Sequence, residues 1–402
     1  MRILMVTPYL PYPPASGGQI RTLNLLKYLS IKNEIYLVSL YKNENEKQYI
    51  KFLTKYCKEI HLCKRPEKPW QIKNILNSIF TTKPFLIVRN YSESAKETIK
   101  KLLERVNFDV IHSETFYVMP HIPKTKVPIL LVEQTIEYKV YQHFVNGLPF
   151  ILRPFLNIDV LKLRYWERYY WNQATIVSTV SEHDKSIIKE EVKDINTAII
   201  PNGAGDEMFE PIIKQRNTID PILLFLGNFF WLQNIEAAQF TIKKILPLLE
   251  NRLQNFKILI AGQQAKKIKT NNSKVQIVEI EESDTEKVKK LYQSATLFIA
   301  PIFGPGGTRL KILAAMATGL PVVSTSVGIE GLNAKDNEHV LVANDKDEFV
   351  EKIFQALSSP NLYKNLQLNS YNLAKNKYNW KSISAQLEKV YKNIKKADEN
   401  RD

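Results

Sequence analysis

Three stretches of the chain combine glycines, amides and cations at spacings suited to a phosphate-bearing ligand. The fullest reads GPGGTRLKILAAMATGLPVVSTSVGIEGL, residues 304 to 332. Gly304, Gly306 and Gly307 make an adaptable loop, and Thr308 can cap the helix expected over 308 to 318, whose unpaired N–H groups and positive dipole end face outward. Arg309 falls in the first helical turn, where a cation is disfavoured unless it serves an anion. With Lys311 two residues on, it forms a pair able to clamp a pyrophosphate. The spacing is neither GxxxxGKS/T nor GxGxxG, so P-loop ATPase and dinucleotide dehydrogenase chemistry fall away.

The second stretch, TPYLPYPPASGGQIR, follows an apolar run at 3 to 7. Four prolines stiffen the loop, Gly17 and Gly18 let the backbone approach a ligand, and a helix is expected from about Gln19 with Arg21 in its first turn. A plain structural turn is the other reading. The third, FLGNFFWLQNIEAAQFTIKKILPLL at 225 to 249, places Gly227 and Asn228 between a strand and a helix. Trp231 within it is either a ligand platform or, by default, a core side chain.

In open parallel sheets ligands bind beyond the carboxyl ends of the strands, so these loops need strands behind them. Short apolar runs alternate with amphipathic stretches almost throughout, the pattern of stacked strand–helix units. Strands are expected at 3–7, 34–40, 109–113, 127–133 and 174–180, and again at 221–227, 256–262, 275–280, 296–301 and 320–326. Between the two sets, residues 201 to 220 carry turn signals and no sustained period, which marks a connector. At 402 residues the chain exceeds the roughly 250–300 at which one core stops growing. Two doubly wound α/β domains are therefore expected, 1–205 and 206–377. The basic helix of 378–402 either crosses back to brace the first domain or frays on the surface.

Cys57 and Cys63 are the only cysteines, with no partners at zinc spacing, and fit a reducing compartment. No stretch reaches the ~18 apolar residues needed to span a bilayer, and the N-terminus lacks a signal-peptide pattern, so a cytoplasmic location is expected. The net charge is +15, and residues 1 to 200 hold 29 Lys and Arg against 19 Asp and Glu, a surplus of +10. Such a field suits a membrane surface, a phosphate-bearing substrate or a nucleic acid, though no nucleic-acid module is present. Residues 138 to 171 interleave aromatic rings with Arg and Lys. They either sit at a lipid headgroup layer, giving peripheral contact with an anionic inner membrane face, or cap the first sheet.

The order TPYLPYPPASGGQIR, DVIHSE, VSEHD, IIPNGAGDEMF, FLGNFFWLQNIEAAQF and GGTRLKILAAMATGLPVVSTSVGIEGL, spanning residues 1 to about 335, resembles the family-4-type, group 1 bacterial glycosyltransferases. The resemblance implies the GT-B architecture, two Rossmann-like domains facing a cleft. It also implies transfer of a sugar from a UDP- or GDP-linked donor to a glycan or lipid-linked acceptor, usually with retention, with no cofactor and no metal. It puts Gly17 and Gly18 beside the donor phosphates, Arg309 and Lys311 at the pyrophosphate, and Gly227 and Asn228 near the nucleotide. Gly306, Gly307, Thr308 and Glu330 complete the implied donor site, Glu330 as an acid that could meet the ribose from another direction. The acceptor hydroxyl is expected near Gly18 and Gln134, with the diphosphate leaving on the same face.

Two departures stand out. The family's paired acids would fall on Gly306 and Ala314, so both are missing; the lost carboxylate is worth about 1.5–3 kcal/mol, a roughly ten- to hundredfold weaker donor. Relatives also tend to show a His where this chain has Gln134, an amide that cannot take up a proton near neutral pH. His112, on a different strand, reads as a buried, satisfied histidine. A second reading follows from these losses: a catalytically silent relative that binds nucleotide sugar or glycan as a partner subunit. An epimerase on the same frame would need more acid–base residues than six scattered histidines provide.

Overall fold

The computed structural model describes residues 1–68, 70–209, 216–281, 284–304 and 309–399. The chain divides into two compact units, Met1–Pro201 with Ile383–Asp402, and Asn202–Ser382. Each is built on its own parallel sheet, the doubly wound α/β class expected of the sequence.

In the first unit seven strands, β1 (Arg2–Thr7), β2 (Glu34–Tyr41), β3 (Glu59–Lys64), β4 (Val110–Glu114), β5 (Ile129–Glu133), β6 (Ile176–Thr179) and β7 (Thr197–Ile199), pair in the order β3-β2-β1-β4-β5-β6-β7. In the second, β8 (Ile222–Leu226), β9 (Lys257–Gly262), β10 (Val275–Glu279), β11 (Leu297–Ala300), β12 (Val322–Ser324) and β13 (Leu341–Val342) pair as β10-β9-β8-β11-β12-β13. The interior strands are near-continuous runs of Ile, Leu and Val because helices cover both faces; β1 is buried at five of its six positions. Its register, Ile3 opposite Ile35 on one side and Val110 on the other, is fixed by that burial.

Strand order reverses between β1 and β4 in the first unit and between β8 and β11 in the second. Those switch points open a crevice at the strands' carboxyl ends. The three stretches singled out above all leave from them or from next to them.

The helices that matter for the sites are α1 (Gly17–Leu29), α2 (Ile72–Phe80), α3 (Glu137–Asn146), α4 (Arg153–Gln173), α5 (Leu232–Phe240), α6 (Leu310–Ala317) and α7 (Trp380–Glu399). The α1 helix starts two residues earlier than expected, because the Ser16 hydroxyl caps it by accepting from the Gln19 N–H. Arg21 thereby moves off the first turn and is fully buried, donating to the carbonyls of Ile200 at 3.1 Å and Pro201 at 3.0 Å. From Ile383 onward α7 belongs to the first unit, with Ile383, Leu387, Tyr391 and Ile394 buried, so the C-terminal helix does return there rather than fray.

In the segment 138 to 171 part of the aromatic and apolar set caps the first sheet and part stays exposed. Tyr138, Val145, Val160, Leu163 and Trp171 are in the core against β5 and β6, whereas Phe144, Phe150, Phe155, Tyr165 and Tyr169 face solvent.

Candidate functional site

In the second unit one amide ties the predicted residues together. Gly227 follows β8, its N–H bonded to the Ala261 carbonyl at 3.0 Å, and the two chains lie so close that a Cβ on Gly262 would sit 1.7 Å from the Gly227 oxygen. Gly262 meets this with φ +141°, a conformation that suits glycine. A Cβ on Gly227 would lie 2.9 Å from Cγ of Asn234. Asn234, on α5, donates through Nδ2 to the Asn228 carbonyl at 2.7 Å and accepts through Oδ1 from the Lys311 ammonium. The Asn228 side chain is held in turn, donating to Gln263 Oε1 at 2.5 Å and accepting from the Phe230 N–H at 2.9 Å.

Lys311 projects from α6 back to the end of β8, its Nζ 5.0 Å from the centroid of the buried Phe225 ring. No carboxylate among the described residues lies against it. Burial, and then the neighbouring Arg309 charge, bring its pKa down to about 7. Arg309, half-buried at the N-cap position of α6, donates to the Gly304 carbonyl at 2.7 Å. Two cations close enough to repel, at a strand end and a helix start, are arranged to meet a multivalent anion.

Glu330 lies half-buried in the turn after β12, its N–H donating to the Val327 carbonyl at 3.4 Å. Ala314 is half-buried and packs against the core. Gly306, Gly307 and Thr308 lie outside the described residues. Trp231 corrects the core default: it is 55% exposed beside Phe230, itself 62% exposed, because the loop turns outward before α5 begins.

The first unit assembles a different kind of cluster. Tyr9 lies across the start of α1, where a Cβ on Gly18 would be 1.9 Å from its hydroxyl oxygen. Gln134, just past β5, donates from Nε2 to Tyr9 Oη at 3.2 Å and to Glu114 Oε2 at 2.8 Å. Those two bonds use both amide protons and leave the Gln134 carbonyl oxygen as an acceptor. Glu114 ends β4, and its other oxygen meets His112 Nε2 at 2.9 Å, while His112 Nδ1 pairs with the Tyr391 hydroxyl of α7. His112 is fully buried, as the sequence implied.

Burial raises the Glu114 pKa, but the His112 hydrogen bond and charge, the Arg21 charge and the Gln134 amide outweigh it and hold the carboxyl below its ordinary range. Burial, with Glu114 beside it, pushes the Tyr9 phenol well up, so it stays protonated. Gly17 sits exposed at the first position of α1.

The structure thus joins Gly18 to Gln134 through Tyr9, and Gly227 and Asn228 to Lys311 through Asn234. Tyr9, Glu114, Tyr391 and Asn234 escape sequence reasoning as site residues. Asn234 left a signal as the last position of the GNFFWLQN block, and Tyr9 and Glu114 fall inside the quoted TPYLPYPPASGGQIR and DVIHSE blocks. Among the described residues no three His, Cys, Asp or Glu side chains group as metal ligands would.

Residues 220–359, the body of the second unit, match the family model of the group 1 glycosyl transferases. The match lies wholly within that unit. A protein of the cps region of Klebsiella pneumoniae, itself uncharacterized, is 22% identical over 96% of this chain and 98% of its own. Among solved structures, a sucrose-phosphate synthase from Thermosynechococcus elongatus shares 16% identity with a TM-score of 0.74, covering 99% of this chain and 100% of that one. Anabaena Alr3699/HepE in complex with UDP-glucose shares 12% identity with a TM-score of 0.65, covering 98% and 100%. These likenesses show the fold, a GT-B fold built of two Rossmann-like domains. The matched residues include the Gly227–Asn228 loop, Asn234, Arg309 and Lys311.

Proposed function

We propose that the protein is a retaining, metal-independent, family-4-type glycosyltransferase that needs no resident cofactor. It moves a sugar from a UDP- or GDP-linked donor to a lipid-linked or polysaccharide acceptor at the cytoplasmic membrane face. The observation that carries this is the Arg309–Lys311 pair, set beside the Asn228–Asn234 loop inside the segment that matches the family.

Transfer with a diphosphate leaving group turns on neutralising charge as the glycosidic oxygen departs. Arg309 is permanently charged. Lys311, with a pKa near 7, is half ionised in the free protein at neutral pH, and a bound diphosphate draws it to the charged form. Donor binding then takes up a fraction of a proton. The Gln134 carbonyl, oriented by Glu114 and Tyr9, accepts from a sugar hydroxyl. With Ala314 in place of an acid, the ribose is held by fewer charge-assisted bonds, which the loop amides partly offset. The UDP-glucose bound to HepE, and the cps-region location of the Klebsiella relative, support a UDP-sugar donor and an envelope-polysaccharide acceptor.

A thermal-shift panel of UDP- and GDP-sugars tests the donor: a ligand at 100 times its Kd adds about 2.7 kcal/mol of stability. A transferase also releases UDP or GDP slowly from the effective sugar without acceptor, and Arg309→Ala abolishes that release. Binding without any release would establish the silent-subunit reading. No response to any nucleotide sugar would sink both.

A further inference from the structure

Away from both sites, the first unit carries a broad apolar face assembled from segments some 80 residues apart. On α2, Ile72, Ile79 and Phe80 are 76%, 62% and 81% exposed; on and before α4, Phe150, Phe155 and Leu161 are 76%, 73% and 64% exposed. The helices are held side by side. Ser78 donates to Asp159 Oδ1 at 2.9 Å, and the Lys162 ammonium donates to the carbonyls of Ser78 at 2.6 Å and Thr81 at 2.7 Å. An exposed apolar surface of this extent marks an interaction site.

The charges around it are one-sided. Residues 68 to 92 contain Lys68, Lys73, Lys83 and Arg89 but no Asp or Glu. The two acids of α4 both turn inward: Asp159 also accepts from the Phe85 N–H at 2.9 Å, and fully buried Glu167 accepts from the N–H groups of Glu137 and Tyr138. The cations outside are Lys73, Lys83 and Arg153, all exposed. Farther along, Arg164 and Arg168 are taken up by Glu191.

We propose that α2, the turn at 147–152 and the first half of α4 form an in-plane docking surface for an anionic lipid bilayer. The rings and aliphatic chains enter the headgroup–acyl boundary, and Lys73, Lys83 and Arg153 meet lipid phosphates. Among the described residues no helix is long and apolar enough to cross a membrane, so the attachment is peripheral. A second copy of the chain is the poorer occupant, since a two-fold contact would set these cations against themselves with no exposed acid on either helix to meet them. The proposal deepens the membrane-face part of the function proposed above and rests on it, adding the surface and the lipid chemistry.

Co-sedimentation of the full chain with vesicles of phosphatidylcholine, alone or with phosphatidylglycerol, tests it. The protein should pellet with phosphatidylglycerol vesicles and far less with phosphatidylcholine alone. Lys73→Glu and Arg153→Glu should each weaken binding by about fivefold or more, and Phe80→Ser with Phe155→Ser by at least about tenfold. All four positions are exposed, so melting temperature and the donor-induced shift should be unchanged. Equal binding by the variants, failure of the wild type to bind phosphatidylglycerol, or a dimer in light scattering that Phe155→Ser dissolves would each overturn the proposal. A wild type that binds vesicles but no nucleotide sugar would instead break the transferase reading and leave the lipid surface standing.

Discussion

The two units bury ionisable groups at the carboxyl ends of their sheets in opposite ways. In the first, Glu114 is saturated by His112 and Gln134, and Tyr9 and Tyr391 close the network, so the cluster is complete as it stands. In the second, Lys311 has one amide oxygen, one ring and a neighbouring cation, so its charge is under-compensated. The difference teaches that the first unit supplies a rigid, pre-oriented wall, whereas the second holds electrostatic free energy that an anion releases on binding.

Removing the cations tests that difference most strongly. Arg309→Ala should reduce donor-dependent UDP or GDP release by roughly a hundredfold or more. Lys311→Met should reduce the donor-induced thermal shift while raising the melting temperature of the free protein, since it replaces a desolvated ammonium with an apolar chain. A lower melting temperature would mean that Lys311 is already compensated.

The glycines sharpen the comparison next. Gly227→Ala pushes on Asn234 and so displaces Lys311, and should cost about tenfold or more in donor affinity, read by calorimetry. Gly18→Ala drives a methyl into the Tyr9 ring, and should cost about 1–3 kcal/mol of stability in urea, more than Gly227→Ala does. Exchanged outcomes would break the assignment of roles.

Acidity separates the units by sign. Burial raises Glu137 to about 7 in the first unit, so between its ordinary value and 7 the folded state holds more protons than the unfolded, and stability falls as pH rises through that window. Lys311, lowered to about 7, makes the unfolded state the better proton binder above 7, so stability rises with pH from there toward the ordinary lysine value. Glu137→Gln should flatten the first slope and Lys311→Met the second, in melting curves taken from pH 5 to 9. Donor affinity should weaken above pH 7 in the wild type and lose that dependence in Lys311→Met. The smallest effect is expected of Trp231→Ala: at an exposed site it should shift stability by less than about 0.5 kcal/mol, where a core Trp would cost about 3–5.

The ten strands read from the sequence are all present, because interior strands of a parallel sheet are continuous apolar runs. The three that escaped, β3, β7 and β13, are edge strands. Each is short or half-buried, EIHLCK, TAI and LV, and one-sided burial leaves no run to see. The Gly227–Asn228 loop and the Arg309–Lys311 pair were legible as candidates because glycine and cation chemistry is local in sequence. The Tyr9–Gln134–Glu114–His112–Tyr391 chain was not, since its members come from three strands and the last helix, and only folding brings them together. The α2 face escaped for a related reason: its partner lies on α4, and neither segment alone shows how much surface remains uncovered.

The return of the last helix also sets an order of events during synthesis. His112 is made early, but its partner Tyr391 emerges only after the whole second unit. While the ribosome is still translating, His112 lacks its Tyr391 partner and the apolar surface that Ile383, Leu387 and Ile394 cover stays open to water. Nascent chains arrested before residue 383 should therefore give a protease-resistant second unit and a protease-sensitive first one, so that the part made first is finished last.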